Sequence, residues 1–164
     1  MAKILFKQIT YSLTSLIHDI ELGEIGLPDI QRLFVWEAAK VRDLFDSMYQ
    51  GFPVGYLLLW ATDHLTNTRH IGTTSKQVKT PRLLIVDGQQ RLTCLYTTVF
   101  KGHKVLTKDF KEVQIQIAFR PADAKFEVAD AAIQRDPEYI FNTSQLWSDS
   151  IDIFEFVDHT KRYL

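Results

Sequence analysis

IVDGQQRLTCLY, residues 85–96, is an apolar run that stops at five polar or small residues and then resumes with a different period. Ile85 and Val86 close the run RLLIV (82–86), which is short, nearly continuous and β-branched at its end. Such a run predicts a buried strand. Leu92, Leu95, Tyr96 and Val99 then recur at helical spacing and predict a helix from about Gly88 to Lys101. Between them stands Asp-Gly-Gln-Gln-Arg. A strand delivered into a helix through one tight turn is the unit from which mixed α and β domains are built. This turn also carries a carboxylate, two adjacent amides and a guanidinium, more than chain reversal requires.

Upstream, Leu13, Leu16, Ile17 and Ile20 form an apolar stripe, so a helix is expected over about Ser12 to Leu22. Ser12 suits its N-cap and Gly23 its end. GLPDIQRLFVW (26–36) follows, and Pro28 argues for an extended entry. Val41, Leu44, Phe45 and Met48 predict a second helix, about Glu37 to Gln50, closed by the breaker GFPVG (51–55). YLLLWA (56–61) reads as a buried strand. Downstream of the opening stretch, VQIQIAF (113–119) alternates strictly and predicts a strand with one wet face. FEVAD (126–130) and EYIFN (138–142) look like short strands, and DIFEFVDHT (152–160) like the start of a helix. The expected architecture is one α+β domain, residues 1–164, with a small mixed sheet flanked by helices. Leu13, Leu16, Ile17, Ile20, Val41, Leu44, Phe45, Met48, Leu92, Leu95 and Val99 are its expected core.

Composition narrows the function classes. With 46% hydrophobic and 24% charged residues the chain has the make-up of a globular domain, not a disordered one. Its formal net charge of -1 gives no overall attraction to nucleic acid or anionic membrane. The single cysteine, Cys94, excludes an internal disulfide and a cysteine-based zinc cluster. No segment approaches the ~20 apolar residues of a membrane span, and the N-terminus lacks a signal-peptide run, so a cytoplasmic protein is expected. The five histidines, His18, His64, His70, His103 and His159, show no zincin or HNH-like spacing. Residues 61–80 have little periodicity and hold Arg69, Lys76 and Lys79 against one acid. They read as a mobile insertion or as an active-site lid.

Two readings of the turn stand side by side. In one, Asp87 is a helix N-cap and Gln90 occupies N3, an Asp form of the capping box, while Gly88 relaxes the turn and Arg91 makes a surface pair. In the other, the turn lies at the carboxyl end of a buried strand, where α/β sheets bind ligands. Unpartnered helical N–H groups then favour an anion, Arg91 forks onto phosphate, and Asp87 holds a metal or orients water. A second polar group resembles the first. Gln31 and Arg32 again lie between an extended segment and a helix, with Trp36 four residues beyond Arg32 to stack on a base or pack in the core.

LPDIQRLFVWEAAKVRDLFDSMYQGFPVGYLLLW (27–60), coupled to LLIVDGQQRLTCLY (83–96), closely resembles the N-terminal domain of the GmrSD-type restriction endonucleases. The likeness covers roughly residues 5 to 120. It implies a ParB/sulfiredoxin-like fold, binding and hydrolysis of a nucleoside triphosphate with magnesium, and a role in phage defence. By the same resemblance Asp87, Gln89, Gln90 and Arg91 are the catalytic candidates, with Asp87 as the magnesium ligand. Gln31, Arg32, Trp36, Gly88 and Thr93 are the nucleotide-binding ones, and Pro53 and Gly55 match the family's turn before the next strand. The implied partners are the nucleotide, a C-terminal nuclease domain or subunit, and DNA in the full assembly, with an oligomer allowed. The resemblance also implies that the nuclease of full-length relatives lies outside this chain. No G-x-x-x-x-G-K-[ST] loop occurs, so a triphosphate site here is not of the Walker type. A DNA-binding or nuclease module, favoured by a salt-dependent DNA shift, and a non-catalytic assembly domain, favoured by an Asp87–Arg91 pair inside the core, are the alternatives.

Overall fold

The computed structural model describes residues 6–28, 33–61, 68–69, 80–99, 104–107 and 109–147. Helix α1 is Leu13–Glu21 and is capped as its sequence suggests: Ser12 Oγ accepts from the Ser15 N–H at 3.1 Å. Strand β1, Ile25–Pro28, follows. Helix α2 is Ala38–Tyr49, and β2, Leu58–Ala61, comes after the 51–55 breaker. The two-residue strand β3, Thr68–Arg69, falls inside the stretch expected to lack structure, whose remaining part, 62–67 and 70–79, lies outside the described residues. Strand β4, Leu83–Asp87, leads into α3, Gln89–Val99.

These first four strands form one sheet in the order β2-β4-β1-β3. β1 and β4 are parallel neighbours, Ile25 beside Leu83 and Gly26 beside Leu84, while β2 and β3 run antiparallel on the two flanks. Because β1 and β4 are parallel, both deliver the chain to the same end of the sheet. Among the described residues two short hairpins follow: β5 (Val105–Leu106) with β6 (Glu112–Val113), and β7 (Ile117–Arg120) with β8 (Lys125–Val128). The α+β class expected from the sequence is what the structure has.

One sheet face makes the core. Ile25, Leu27 and Ile85 meet Leu16, Ile17 and Ile20 of α1, Val41 and Leu44 of α2, and Leu92 and Leu95 of α3. Leu13, Phe45 and Met48 pack against this cluster half-buried; the side chain of Val99 lies outside the described residues. α2 is fastened to the β7–β8 hairpin by aromatic rings: Tyr49 stands 5.6 Å from Phe119 and 5.7 Å from Phe126, centroid to centroid.

Three expectations need correction. YLLLWA is not a buried strand: among the described residues β2 is an edge strand, and Leu58 and Trp60 are exposed while within β2 Leu59 turns half inward. VQIQIAF is not one strand. Its ends join two different hairpins, β6 and β7, and residues 114–116 between them belong to neither. EYIFN forms only a single bridge, Ile140 with Phe119, not a strand. In each case the apolar period is real, but strand pairing is a long-range choice that the period does not encode. DIFEFVDHT lies outside the described residues.

Candidate functional site

The opening turn is built differently from a capping box. α3 begins at Gln89, so Gly88 takes the cap position and its carbonyl accepts from the Leu92 N–H at 2.9 Å. Asp87 is the last residue of β4, and Gln90 falls one residue short of the N3 position from which a capping box reaches back. Gly88 has φ +87°, and a Cβ there would lie 2.5 Å from Leu57 Cδ2. The left-handed backbone therefore favours glycine here, and any added side chain would also have to displace the tip of Leu57.

Gln90 reaches sideways. Its Nε2 donates to the Leu33 carbonyl at 3.2 Å, and its Oε1 accepts from the Val35 N–H at 2.9 Å. One side-chain amide thus copies the pairing of a neighbouring strand and holds residues 33–35 against the start of α3. The other side of that segment is held by a parallel bridge, Phe34 with Thr107. Gln31 and Arg32 lie outside the described residues, so their meeting with the Asp87–Arg91 turn is not placed; the described segment that continues from them does abut Gln90.

Arg91 reaches the opposite way. Its Nη1 donates to the Val54 carbonyl and its Nη2 to the Tyr56 carbonyl at 2.8 Å. The guanidinium fork is therefore spent on the backbone of the turn that carries Pro53 and Gly55. Gly55 has φ +85°, and a Cβ there would run into the guanidinium, so this glycine too is required. Arg91 also stands 3.7 Å from Asp87, but the Asp87 side chain is 76% exposed. This is not an ion pair buried in the core, and the observation that would favour a purely structural hub is missing.

Asp87 owes its position to a bulge. Leu58 pairs with Asp87 and Leu59 with Ile85, so Val86 is an extra residue on β4. Bulges of this kind re-aim the side chain beside them. The result is a pole at the shared carboxyl end of β1 and β4, with an exposed carboxylate at the head of α3 and two loops tied to it from either side. Gln89 is half-buried in the first turn and engaged in a contact of its own. Trp36 is half-buried against the core with Lys40 Nζ 4.7 Å from its ring centre, and Thr93 is buried on the inner face of α3. Patterning could name the two clamping side chains but not assign their contacts: nothing local says that Gln90 and Arg91 bond to backbone 55 and 37 residues away. Among the described residues no group of three or more His, Cys, Asp or Glu gathers to hold a metal, and no helix is long and apolar enough to cross a membrane.

The GmrSD restriction endonuclease, N-terminal domain family model matches residues 13–162. The chain is also 29% identical over 100 residues to an uncharacterized protein of Methanocaldococcus jannaschii. That match covers 56% of this chain and 17% of the relative, so the chain spans about a sixth of the relative's length. No solved structure matches. The chain belongs to the GmrSD restriction endonuclease N-terminal domain family.

Proposed function

We propose that this member of the GmrSD N-terminal family binds a nucleoside triphosphate at the Asp87–Arg91 pole and hydrolyses it with magnesium. The observation that carries the reading is that Gln90 and Arg91 gather two separate loops around the head of α3 and leave the Asp87 carboxylate exposed there. The start of α3 offers outward N–H groups and the positive end of a dipole to phosphate oxygens. Magnesium is commonly held by one or two carboxylates plus the substrate phosphates and water, so a single exposed Asp87 fits its requirements better than a protein cage would. In this reading Asp87 holds the ion or orients the attacking water. Gln89, beside it in the first turn, is the second catalytic group. Gln90 and Arg91 position the walls. Gln31 and Arg32, next in the chain to Leu33, are assigned to the phosphates, Trp36 to the nucleoside side, Gly88 to the close approach of the ligand, and Thr93 to support from beneath.

Phosphoryl transfer depends on positioning and charge neutralisation more than on covalent chemistry, and the two loops tied to the head of α3 by Gln90 and Arg91 support the first. A kinship with the ParB and sulfiredoxin folds belongs to the same proposal, as do coupling to a nuclease domain or subunit, contact with DNA in that assembly, and a cytoplasmic role in phage defence. Calorimetric titration with the four ribonucleoside triphosphates, with and without magnesium, tests it. Saturable magnesium-dependent binding of at least one is expected; four flat titrations in both conditions would sink the reading.

A further inference from the structure

The β5–β6 turn carries a large side chain where its backbone favours a small one. The Phe110 N–H donates to the Thr107 carbonyl at 2.9 Å, and the Thr107 N–H to the Lys111 carbonyl at 3.0 Å. Phe110 closes this turn with φ +56°, in the left-handed region. A bulky side chain is strained there, and strain of this kind gathers at functional positions. Ala124 has a similar φ of +55° in the β7–β8 turn, but with almost no side chain to strain. Phe110 gets little packing in return, being 76% exposed. The root of the hairpin is firm by contrast. Val105 and Phe34 are buried in the core, and the Phe34 N–H donates to the Leu106 carbonyl at 3.2 Å. Leu33 and Val35, on either side of Phe34, are held by Gln90. One hydrogen-bonded ribbon thus runs from the head of α3 to a tip that presents an aromatic ring to solvent.

We propose that this tip is a nucleic-acid contact, in which an unstacked base of a single strand lies on the Phe110 ring and its neighbouring phosphates meet Lys104 and Lys111. The whole chain has no net positive charge to draw a polyanion, but its basic residues are not evenly spread. KGHKVLTKDFK, residues 101–111, holds four lysines against one acid, Asp109. Lys104 and Lys111 are exposed. Lys104 stands 3.6 Å from Glu112, an exposed pair that contributes little and yields to a phosphate at small cost. The size of the feature selects the partner. One ring is too little apolar area for a protein interface or a lipid surface, where even a whole acyl chain binds only marginally. Stacking on nucleic acid works base by base, so one ring with flanking ammonium groups is a complete contact. Bases in a duplex are already stacked on one another, which is why the strand is single. The inference rests on the DNA contact included in the reading above and not on nucleotide binding at the pole.

Fluorescence anisotropy of the full chain with a labelled single-stranded DNA of about 20 nucleotides, longer than the footprint of one small module, tests it. Saturable binding is expected, tighter than to the matching duplex and weakening as salt rises from about 50 to 200 mM. Phe110→Ala should bind about tenfold more weakly or worse, the scale of losing one stacked base, while Phe110→Trp keeps wild-type affinity. Phe110→Gly removes the ring and relaxes the turn, so it should melt at or above the wild-type temperature and still bind about tenfold more weakly. The assay contains no nucleotide, so its outcome is separate from that of the triphosphate titrations. Absence of binding at the lowest salt overturns the proposal, as does a duplex bound as tightly as the strand. Full affinity in both Phe110→Ala and Phe110→Gly overturns it too. So does a lowered melting temperature in Phe110→Gly, because the ring then serves the fold, or binding to phosphatidylserine vesicles that needs Phe110 when the strand does not.

Discussion

Asp87→Asn isolates charge from shape. The side chain is exposed, its only described ion pair is the 3.7 Å contact with Arg91, and the helix cap is Gly88. Exposed pairs of this kind contribute little. The variant is therefore expected to melt like the wild type while magnesium-dependent nucleotide turnover falls by ~100-fold or more, the scale of losing one key electrostatic or acid–base group. Unchanged turnover would remove Asp87 from the chemistry. Arg91→Lys should behave the opposite way. Lysine keeps the charge but not the planar fork, and cannot serve both the Val54 and Tyr56 carbonyls in the same geometry. A stability loss of about 1.5–3 kcal/mol is expected from denaturant melts, the range for hydrogen bonds to a charged group. A full-stability Arg91→Lys with weakened triphosphate binding would mean that the guanidinium grips the ligand and not the wall.

At the scale of elements, each helix is held by a stripe, and the β7–β8 hairpin by aromatic rings that it shares with α2. Leu44→Ala in α2 and Leu95→Ala in α3 empty buried sites and should cost roughly 2–5 kcal/mol each; wild-type melting of both would show that these helices do not pack as described. Inside α3, burial pushes the Cys94 thiol far above its ordinary range. The folded protein should leave a thiol reagent such as Ellman's reagent unreacted, and one equivalent should react once urea unfolds it. Fast labelling in the native state would contradict the burial. The turn of the β7–β8 hairpin carries an Arg120–Asp123 pair, with bonds of 2.8 and 2.6 Å. The hydrogen bond from Arg120 lowers the Asp123 carboxyl pKa. A depressed carboxylate contributes stability above its unfolded pKa and loses it as pH falls through the folded one. The Asp123 carboxyl resonance should therefore titrate below the ordinary value of about 3.9. A midpoint at or above that value would show that the pair does not persist in solution.

For the molecule as a whole, topology explains why two distant motifs belong to one pole. β1 and β4 are 58 residues apart at their paired starts, Ile25 and Leu83, yet lie side by side and parallel. Their carboxyl ends leave the sheet together, and the side chains of Gln90 and Arg91 then tie in the loops that follow β1 and precede β2. Apolar periodicity was enough to place α1, α2 and α3 within a residue or two at the ends described, because a helix closes its hydrogen bonds within a few residues and its stripe repeats locally. It also named the core residues Leu16, Ile17, Ile20, Val41, Leu44, Leu92 and Leu95, and the coupled motifs were enough to name the family. Strand partners lay beyond its reach. YLLLWA has the composition of a central strand and became an exposed edge, and VQIQIAF has one unbroken alternation and serves two hairpins, since backbone pairing is satisfied by groups far away in the chain. The same holds for the turn itself. Glycine at 88 and the carboxylate at 87 could be seen in the letters, but a bulge set the direction of Asp87, and folding alone brought Leu33, Val54 and Tyr56 to the two side chains that hold them.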